Sequence, residues 1–466
     1  MNIYSRIFKN IGPLFLFVAG SVLVHAEGET PWRLDRALGT PDWLTVSGTH
    51  RIRYETLDNQ FKAGKSGRDQ VLNYRTFLMF KADLPEFDAM VEFEDSRQSL
   101  ADEGTSLSTS IVNPLELLRA NVSWSAKDWL IAGSSSSFTL GRMTMDVGSR
   151  RFVARNGYRN TRNAFTGVDW TLKIDQARTF RAFYTLPVMR YPTDTQSLMD
   201  NKNKWDKEYG DVRLWGLFYE QKDLPLSGIT ELYLYGFKED DNADFATKNR
   251  ELYTPGFRFY RKPKTGTIDF EIETTLQWGE TRSSTKASDT TDLDVFAGFI
   301  HVSAGYSFDA AWKPRLLLQY DFASGDDDPK DGNYNRFDTL YGIGRSELCA
   351  TGIYGPVARS NISTPGCHLY LQPSANTKLM LAWRYYWLES ATDTWTSAKI
   401  TDTSGASGRA LGSQTEMQFT WDAIPGNLKI ELGGAYFDFG RFAKAAPGST
   451  GVSNTLHAYA QATFQF

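Results

Sequence analysis

The feature that most constrains this chain is a two-residue alternation of apolar and polar side chains that recurs along most of its length. The stretch LHAYAQATFQF at 456–466 places leucine, alanine and phenylalanine on one face, and histidine, tyrosine, glutamine and threonine on the other. Successive side chains of a β-strand point to opposite faces, so this period predicts a strand between two different environments. The same pattern occurs in TVSGTHRIRYE (45–55), NYRTFLMFKAD (73–83), LLRANVSWS (117–125), IDFEIETTLQWGE (268–280) and KLMLAWRYYW (378–387).

The connections between these strands predict how the sheet closes. Short ones, such as LPEFD at 84–88, alternate with long ones at 95–114, 146–164, 190–211, 241–250, 282–293, 326–366, 390–411 and 443–454. Strands of roughly ten residues with aromatics near their ends favour a membrane barrel over a β-sandwich. We therefore predict an all-β fold: a transmembrane antiparallel β-barrel of about eighteen strands, with short periplasmic turns and long extracellular loops.

The N-terminal segment predicts the compartment. Arg6 and Lys9 precede the apolar stretch PLFLFVAGSVLV, and Val24 and Ala26 complete the pattern of a secretory signal. We expect residues 1–26 to be a signal peptide and residues 27–466 to be a single barrel domain in the outer membrane of a Gram-negative cell. An uncleaved membrane anchor is the alternative. After this segment, no apolar run is long enough for a transmembrane helix.

One predicted loop is unusually rich in arginine. The stretch GSRRFVARNGYRNTRN at 148–163 has no acidic residue, although the whole chain has a formal net charge of −4. Its five arginines are Arg150, Arg151, Arg155, Arg159 and Arg162. The stretch follows the fifth predicted strand and so belongs to the third long loop, which folds into the lumen in many porins.

Strand alternation sends further arginines inward: Arg51, Arg53, Arg75, Arg119, Arg258 and Arg384. Rings of arginine in a pore select anions, and the planar guanidinium pairs well with carboxylates. An anionic solute is therefore the expected cargo.

Two alternatives are open for these arginines. The loop could stay at the outer surface and bind lipopolysaccharide phosphates. The arginines could also form internal ion pairs with acidic residues that alternation sends inward, namely Glu92, Glu94, Glu271, Glu273, Glu416 and Glu431. Ion pairing and anion selectivity are compatible, because acidic partners would hold the arginines in place.

Cross-links, metal ions and catalysis give further expectations. Cys349 and Cys367 lie in a Gly/Pro/Ser-rich stretch, and an oxidising compartment favours a disulfide between them, with two free thiols as the alternative. An acidic stretch at 325–333 lacks the EF-hand spacing, so a solvated loop competes with a calcium site. The aspartates concerned are Asp326, Asp328 and Asp331. Since no catalytic motif occurs, we expect no enzyme, no cofactor and no nucleic-acid partner.

Two longer stretches resemble signatures of the alginate export family of outer-membrane proteins. They are GRMTMDVGSRRFVARNGYRNTRNAFTGVDW at 141–170 and YDFASGDDDPKDGNYNRFDTLY at 320–341, and RIRYE (51–55), VEFEDSRQ (91–98) and ELGGAYFDFGRF (431–442) fit as well. The resemblance covers nearly all of 27–466. It implies an eighteen-stranded monomeric barrel, and the best-known member exports the polyuronate alginate through an arginine-rich pore.

Carried onto this sequence, the resemblance implies lumen contacts at Arg75, Arg119, Arg142, Arg151, Arg155, Arg159 and Arg384. Strict alternation would point Arg142 outward, so a nearby bulge is required to turn its side chain inward. His301 is also expected to point into the lumen.

Together these observations predict a channel that passes anionic saccharides or organic anions through an arginine-lined pore, with polyuronate export as the specific hypothesis. The alternatives are an uptake or general diffusion porin for small anions, an adhesive barrel with a closed lumen, and a barrel-borne enzyme. The expected partners are the solute, outer-membrane lipid and lipopolysaccharide, and a periplasmic secretion complex.

Overall fold

A single sheet of eighteen antiparallel strands dominates the computed structural model, which describes residues 30–466 except 103 and 346. The strands are β1 (Leu44–Asp58), β2 (Asp69–Asp83), β3 (Phe87–Ser99), β4 (Asn113–Lys127), β5 (Ser135–Met143), β6 (Phe165–Lys173), β7 (Arg178–Pro187), β8 (Val212–Leu224), β9 (Gly228–Glu239), β10 (Glu251–Arg261), β11 (Ile268–Thr281), β12 (Leu293–Ser307), β13 (Arg315–Ala323), β14 (Ile362–Ser374), β15 (Thr377–Trp387), β16 (Ala410–Ile424), β17 (Leu428–Phe439) and β18 (Asn454–Gln465). The predicted signal peptide, 1–26, lies outside the described residues.

The sheet closes on itself. Each strand pairs with its neighbours in sequence, and β1 also pairs with β18 from Thr49 opposite Gln465 to Asp58 opposite Leu456. Closure leaves no strand edge unpaired, as a structure embedded in lipid requires. The predicted fold class and the number of strands are therefore confirmed.

The two ends of the barrel have different connections. One end carries tight turns such as 375–376 and 425–427, and the other carries long loops such as 188–211 and 388–409. In outer-membrane barrels the short turns face the periplasm and the long loops face the exterior. We call the end with the short turns the periplasmic end and the end with the long loops the extracellular end.

The two faces of the wall differ as the alternation predicts. On the outer face, apolar side chains such as Leu140 and Phe296 are 64% and 67% exposed. On the inner face, charged side chains such as Arg53, Glu273 and Asp321 are almost completely buried. An apolar exterior around a charged interior is the arrangement of a membrane barrel, whose exterior contacts lipid.

Two extracellular loops fold back into the barrel. We call them loop L3 (144–164) and loop L7 (324–361). They contact each other through the backbone: Tyr341 donates its N–H to the Phe152 carbonyl at 2.9 Å, and Ile343 donates to the Arg150 carbonyl at 3.1 Å. The two loops therefore form one continuous body inside the lumen.

An aromatic core forms where these loops meet the wall. The ring of Phe152 lies 5.8 Å from that of Phe299 on β12 and 5.9 Å from that of Phe337 in loop L7, in edge-on geometry. All three side chains are buried. Because apolar burial is the main stabilising contribution to packing, this core fixes both loops inside the barrel rather than above it.

Three short α-helices and one 3-10 turn, Pro225–Ser227 between β8 and β9, complete the described chain. The α-helices are α1 (Leu34–Leu38), which precedes β1 at the periplasmic end, α2 (Thr195–Met199) in the loop 188–211, and α3 (Arg441–Ala445) before β18. Within the described residues, none is long and apolar enough to cross a membrane.

The predicted disulfide is wrong. Cys349 is buried in loop L7 inside the lumen, and both thiols are free. Cys367 lies on β14 opposite Leu318 and Trp383, which are 57% and 45% exposed on the outer face. The barrel wall separates the two sulfur atoms, because their strand and loop positions send the side chains to opposite sides of the sheet.

The calcium alternative at 325–333 is not supported either. The described residues contain no group of three or more metal-binding side chains placed around one point. Instead the aspartates accept backbone hydrogen bonds within their own loop: Asp328 from Lys330 at 3.1 Å and Asp331 from Asn333 at 2.8 Å. Such bonds stabilise turns.

Candidate functional site

Loop L3 is held in the lumen by arginines of the wall. Arg51 on β1 donates to the Tyr158 carbonyl at 3.0 Å and the Arg159 carbonyl at 3.1 Å. Arg75 on β2 donates to the same Arg159 carbonyl at 2.8 Å. The first function of these inward arginines is therefore to bind the backbone of a loop that carries more arginines.

Asn160 fixes the tip of the loop against three strands and a neighbouring loop. Its side-chain amide donates to the carbonyls of Tyr74 at 3.0 Å and Ile111 at 2.8 Å, and its oxygen accepts from Arg51 at 2.9 Å. Ser96 donates its hydroxyl to the Asn160 carbonyl at 2.8 Å. This buried network orders the tip within the lumen, where the sequence predicts it.

Several of the predicted arginines form ion pairs. Arg151 donates to Glu347 of loop L7 at 2.8 Å and also contacts Glu271 and Glu273 on β11. Arg258 on β10 donates to Glu271 at 2.9 Å and to Glu231 at 3.0 Å. A guanidinium shared among carboxylates in this way is a structural cross-link between the loops and the wall.

The same holds on the opposite side of the lumen. Arg119 on β4 and Arg155 in loop L3 both donate to the Glu92 carboxylate, at 2.6 Å and 2.9 Å. Two further pairs join Arg53 to Glu55 at 3.5 Å on β1 and Arg384 to Asp321 at 3.3 Å between β15 and β13. His301 contacts Asp321 at 2.7 Å and lies in the lumen, as predicted.

Arg142 reaches the lumen against the alternation, because Gly141 precedes it. Gly141 has a φ of +120°, a conformation that L side chains rarely adopt, and a Cβ there would lie 2.4 Å from the Ala120 carbonyl oxygen. The distorted backbone lets Arg142 donate to Glu116 at 2.8 Å and Glu208 at 2.9 Å. The predicted bulge is absent from β5, which keeps its register with β4 and β6 through Arg142; the distortion at Gly141 turns the side chain inward instead.

A second group of arginines forms no salt bridge: no carboxylate oxygen of the described residues lies within 4 Å of their guanidinium nitrogens. Every member also has a buried Nε–H with no protein acceptor in the described chain. We call this group the L3 arginine cluster, and it comprises Arg51, Arg75, Arg159, Arg162 and Arg190. Their bonds go to neutral oxygens, such as the Asn156 carbonyl that accepts from Arg162 at 2.6 Å.

Burial and mutual repulsion weaken the charge of this cluster without removing it. Burial, together with the charge of Arg190, lowers the pKa of Arg159 to about 9. Burial, together with the charge of Arg155, lowers the pKa of Arg162 to about 10. Both guanidinium groups are still protonated at neutral pH. The Glu94 carboxylate offsets part of this charge. The five guanidinium groups still leave net positive charge in a poorly solvated site, and such charge attracts anions.

Phe77 on β2 helps the wall to hold these like charges together. Its ring lies 4.8 Å from the guanidinium carbon of Arg75, 5.2 Å from that of Arg162 and 5.5 Å from that of Arg155. A cation over an aromatic face gains about 0.5–2 kcal/mol. Phe77 therefore offsets part of the repulsion without neutralising the charge.

A cavity of about 640 Å³ lies between this cluster and the periplasmic end, and we call it the vestibule. Its charged lining consists of Arg33, Asp35, Arg36, Arg75, Glu92, Arg155 and Arg162. The five arginines outnumber the two carboxylates, and Glu92 is already engaged by Arg119 and Arg155. The vestibule is therefore cationic and connects the periplasmic mouth with the L3 arginine cluster.

A second cavity, of about 290 Å³, lies under the other side of the loops. Its charged lining is mixed: Arg151, Arg258, Arg261, Lys262, Asp269, Glu271, Arg315 and Glu347. Most of these groups are paired, as in the bond from Arg315 to Asp269 at 3.1 Å. Burial would raise the pKa of Glu347, but the charges of Arg151 and Arg359 lower it to about 2.

One arginine of the predicted set lies outside the ion pairs, the cluster and the vestibule, and three arginines of the cluster and the vestibule are missing from the predicted set. Arg150 is exposed on loop L3 and makes no ion pair within the described chain. Arg190, Arg33 and Arg36 are absent from the predicted set, because they lie in a loop and in a segment before the first strand, where alternation gives no direction. In the sequence, only the close spacing of Arg33 and Arg36 just before β1 indicates that this segment carries concentrated positive charge.

Comparisons with known proteins agree with this geometry. A sequence model of the family described as Alginate export matches residues 42–456. None of the curated proteins compared with the chain matches it.

Solved structures share the fold at low sequence identity. OccAB1 of Acinetobacter baumannii is 12% identical, with 91% of this chain and 97% of that chain covered and a TM-score of 0.57. A BenF-like porin of Pseudomonas fluorescens Pf-5 is also 12% identical, with 91% and 99% covered and a TM-score of 0.57. OpdK of Pseudomonas aeruginosa, in a structure with vanillate, is 11% identical, with 90% and 98% covered and a TM-score of 0.53. At these identities the likeness concerns the fold, which is that of outer-membrane porins.

Proposed function

Because this chain belongs to the alginate export family, we propose that it is an outer-membrane channel that passes anionic saccharides or organic anions past the L3 arginine cluster. The observation that carries the proposal is the division of the lumen arginines into two groups. Arginines such as Arg151 are neutralised by carboxylates, whereas Arg75 and Arg162 line the vestibule without one. Of these two groups, the second keeps charge that a solute can bind.

A carboxylate in the vestibule would meet the guanidinium groups of Arg75 and Arg162, which line the cavity and form no ion pair within the described residues. A hydrogen bond to a charged group contributes about 1.5–3 kcal/mol. Two such contacts favour entry of an anion, and they are few enough to allow its release, as conduction requires.

The polyuronate hypothesis and the small-anion hypothesis share this chemistry. The family favours alginate export, in which a periplasmic secretion complex would deliver the polymer to the short-turn end. One observation favours a small anion: loops L3 and L7 fill the lumen and leave cavities of about 640 and 290 Å³, which fit short solutes. In both cases we expect a monomeric barrel released from its signal peptide after Ala26.

Reversal potentials of the purified protein in planar bilayers test the proposal. We expect anion selectivity in the native protein, and a decrease of about fivefold in the anion-to-cation permeability ratio for the double variant Arg75→Gln/Arg162→Gln. Such a change corresponds to about 1 kcal/mol. Lys173→Gln/Arg178→Gln removes the same charge at an exposed periplasmic turn and should leave the ratio unchanged. Equal selectivity of native protein and double variant would exclude the cluster from the solute path.

Block of the current by added solutes then distinguishes polyuronate export from uptake of small anions. Polyuronate that blocks the current at concentrations where galacturonate monomer does not would support export. Block by monomer alone would support uptake of small anions.

A further inference from the structure

One part of the vestibule belongs neither to the barrel wall nor to the folded-in loops. It is the segment 30–41, which contains α1 and precedes β1. Arg33 and Arg36 of this segment line the vestibule together with Arg75 and Arg162. Its position at the periplasmic mouth suggests a role in the path of the solute.

The segment is attached to the barrel at a defined place. Asn427, in the turn between β16 and β17, accepts the Trp32 N–H at 2.9 Å and donates to the Trp32 carbonyl at 2.9 Å. The same amide donates to the Gln465 carbonyl at 2.8 Å. The indole of Trp32 stacks on the ring of Phe464 with a centroid distance of 6.2 Å. The Asn427 side chain thus ties the segment to the place where β17 begins and β18 ends.

The other end of the segment is equally fixed. Gly39 ends α1 in the left-handed conformation that terminates many helices, and Leu44 donates its N–H to the Pro41 carbonyl at 2.8 Å. Trp43 accepts from the Asp83 N–H at 2.8 Å. Both ends of the segment are thus held at the rim, and Arg33, Asp35 and Arg36 line the vestibule between them. We call the segment the strap.

The two arginines of the strap have no carboxylate partner within 4 Å in the described part of the chain. Arg33 donates to the carbonyls of Trp32 at 2.8 Å and Gly426 at 3.1 Å. Arg36 is exposed, and the neighbouring carboxylate of Asp35 accepts the backbone N–H of Arg36 at 2.7 Å rather than its guanidinium. Their charge is available to a ligand, as that of Arg75 and Arg162 is.

We propose that the strap 30–41 is a binding element that gives the vestibule a second carboxylate site, so that anions with several carboxylates bind more tightly than monocarboxylates. The inner site is formed by Arg75 and Arg162, and the outer site by Arg33 and Arg36. This inference rests on the anion-channel function proposed above.

The size of the cavity and the chemistry of its lining support a ligand of this class. Cavities of about 300–1,000 Å³ hold ligands larger than one small ion, and the vestibule measures about 640 Å³. Once one carboxylate is bound, a second one on the same molecule meets the other pair of arginines at high effective concentration. A monocarboxylate gains nothing from this second pair.

Block of single-channel current by trigalacturonate and by galacturonate, added at the periplasmic side, tests the strap. For Arg33→Gln/Arg36→Gln, we expect the half-blocking concentration of the trimer to rise at least fivefold and that of the monomer less than twofold. Asn427→Ala, which keeps the charges and removes the attachment of Trp32, should shift the trimer in the same direction. The control Lys173→Gln/Arg178→Gln should change neither.

The outcomes distinguish this inference from the proposed function. Equal shifts for trimer and monomer, or no shift for either, would overturn the second site while anion selectivity persisted. A native channel without anion preference would overturn the proposed function itself. Circular dichroism and heat-modifiable migration in gels show whether each variant is folded.

Discussion

At the scale of single residues, the lumen arginines have two different functions that their residue type does not reveal. Arg151 is enclosed by three carboxylates and joins loops to wall. The side chain of Arg159, eight residues later in the same loop, donates only to the neutral Asn163 oxygen. The difference is caused by the acidic residues that the neighbouring strands bring to each position. Whether an arginine can bind an anionic solute therefore depends on the acidic residues around it, and not on the number of arginines in the loop.

The lowered pKa values of the cluster predict a pH dependence of selectivity. Burial lowers the pKa of Arg159 to about 9 and that of Arg162 to about 10. A base loses its proton as the pH rises through its pKa, so both charges are present at pH 7 and are lost between about pH 8.5 and 10.5. We expect the anion-to-cation permeability ratio to fall in this range. A ratio that is constant up to pH 11 would contradict the assignment.

Asp206, in the loop 188–211, gives a second prediction at this scale. Burial and the nearby Glu116 carboxylate raise the pKa of Asp206 to about 7. The folded state then binds the proton more tightly than the unfolded state does. Protonation of Asp206 therefore stabilises the folded loop fully below about pH 4, and this stabilisation is lost as the pH rises through about 7. Amide exchange in this loop should be at least about tenfold faster at pH 8 than at pH 5 after correction for the intrinsic rate.

The variant Asp206→Asn tests the cause of that effect. Its amide cannot ionise but still accepts from Tyr191, whose N–H lies 2.9 Å from the carboxylate in the native chain. We expect the exchange of the loop in this variant to be independent of pH after the same correction. A dependence like that of the native protein would assign the titration to another group.

At the scale of elements, the constriction is a joint product of loops L3 and L7. Their backbones pair at Val153 and Tyr341, and Asn163 donates to the Tyr341 carbonyl at 3.1 Å. Loop L7 also reaches the wall, where Tyr386 donates to the Leu348 carbonyl at 2.7 Å. Displacing one loop therefore requires breaking its contacts with the other loop and with the strands.

At Gly342 the two loops approach so closely that adding a single methyl group should disturb their packing. A Cβ at Gly342 would lie 1.7 Å from the Arg151 carbonyl oxygen, whereas a Cβ at Gly344 would meet no atom within 4 Å. Gly342→Ala should destabilise loop docking by about 1–3 kcal/mol. We expect higher single-channel conductance and faster proteolysis of loop L7 for this variant. Gly344→Ala is the matched control, and identical behaviour of the two variants would show that the loops do not close the lumen together.

At the scale of the whole molecule, the closed wall divides the chain into groups that face lipid and groups that face the lumen. One of the two cysteines lies on the lumen side of the wall and the other on the lipid side. Burial raises the pKa of the Cys349 thiol to about 12, which makes it a poor nucleophile. Cys367 lies on the outer face between apolar neighbours.

This division predicts the reactivity of the thiols. In proteoliposomes, a membrane-soluble pyrene maleimide should label Cys367, and a charged maleimide should label neither cysteine. Migration in denaturing gels should be identical with and without reductant. A disulfide between the two cysteines, detected by mass spectrometry, would contradict the position of β14.

Many features of this architecture follow from local sequence. Alternation predicts the strands and the inward position of Arg51, Arg75 and Arg384, because the side-chain period of a strand is fixed by backbone geometry. The arginine-rich stretch 148–163 predicts a long loop, for which the lumen and the outer surface are both open. The errors have local causes: a bulge at Leu118 turns an apolar side chain inward, and a wall that sequence spacing does not show separates Cys349 from Cys367.

The sequence by itself determined that this chain forms a closed membrane barrel with a cationic loop, since strand periodicity, turn lengths and family signatures are all local properties. Only the tertiary structure decided which arginines keep their charge. Ion pairing depends on residues such as Glu347 and Glu273, which are distant from Arg151 in sequence and adjacent to it only after the barrel closes. Electrostatic interaction depends on distance in space, and a linear pattern does not contain that distance.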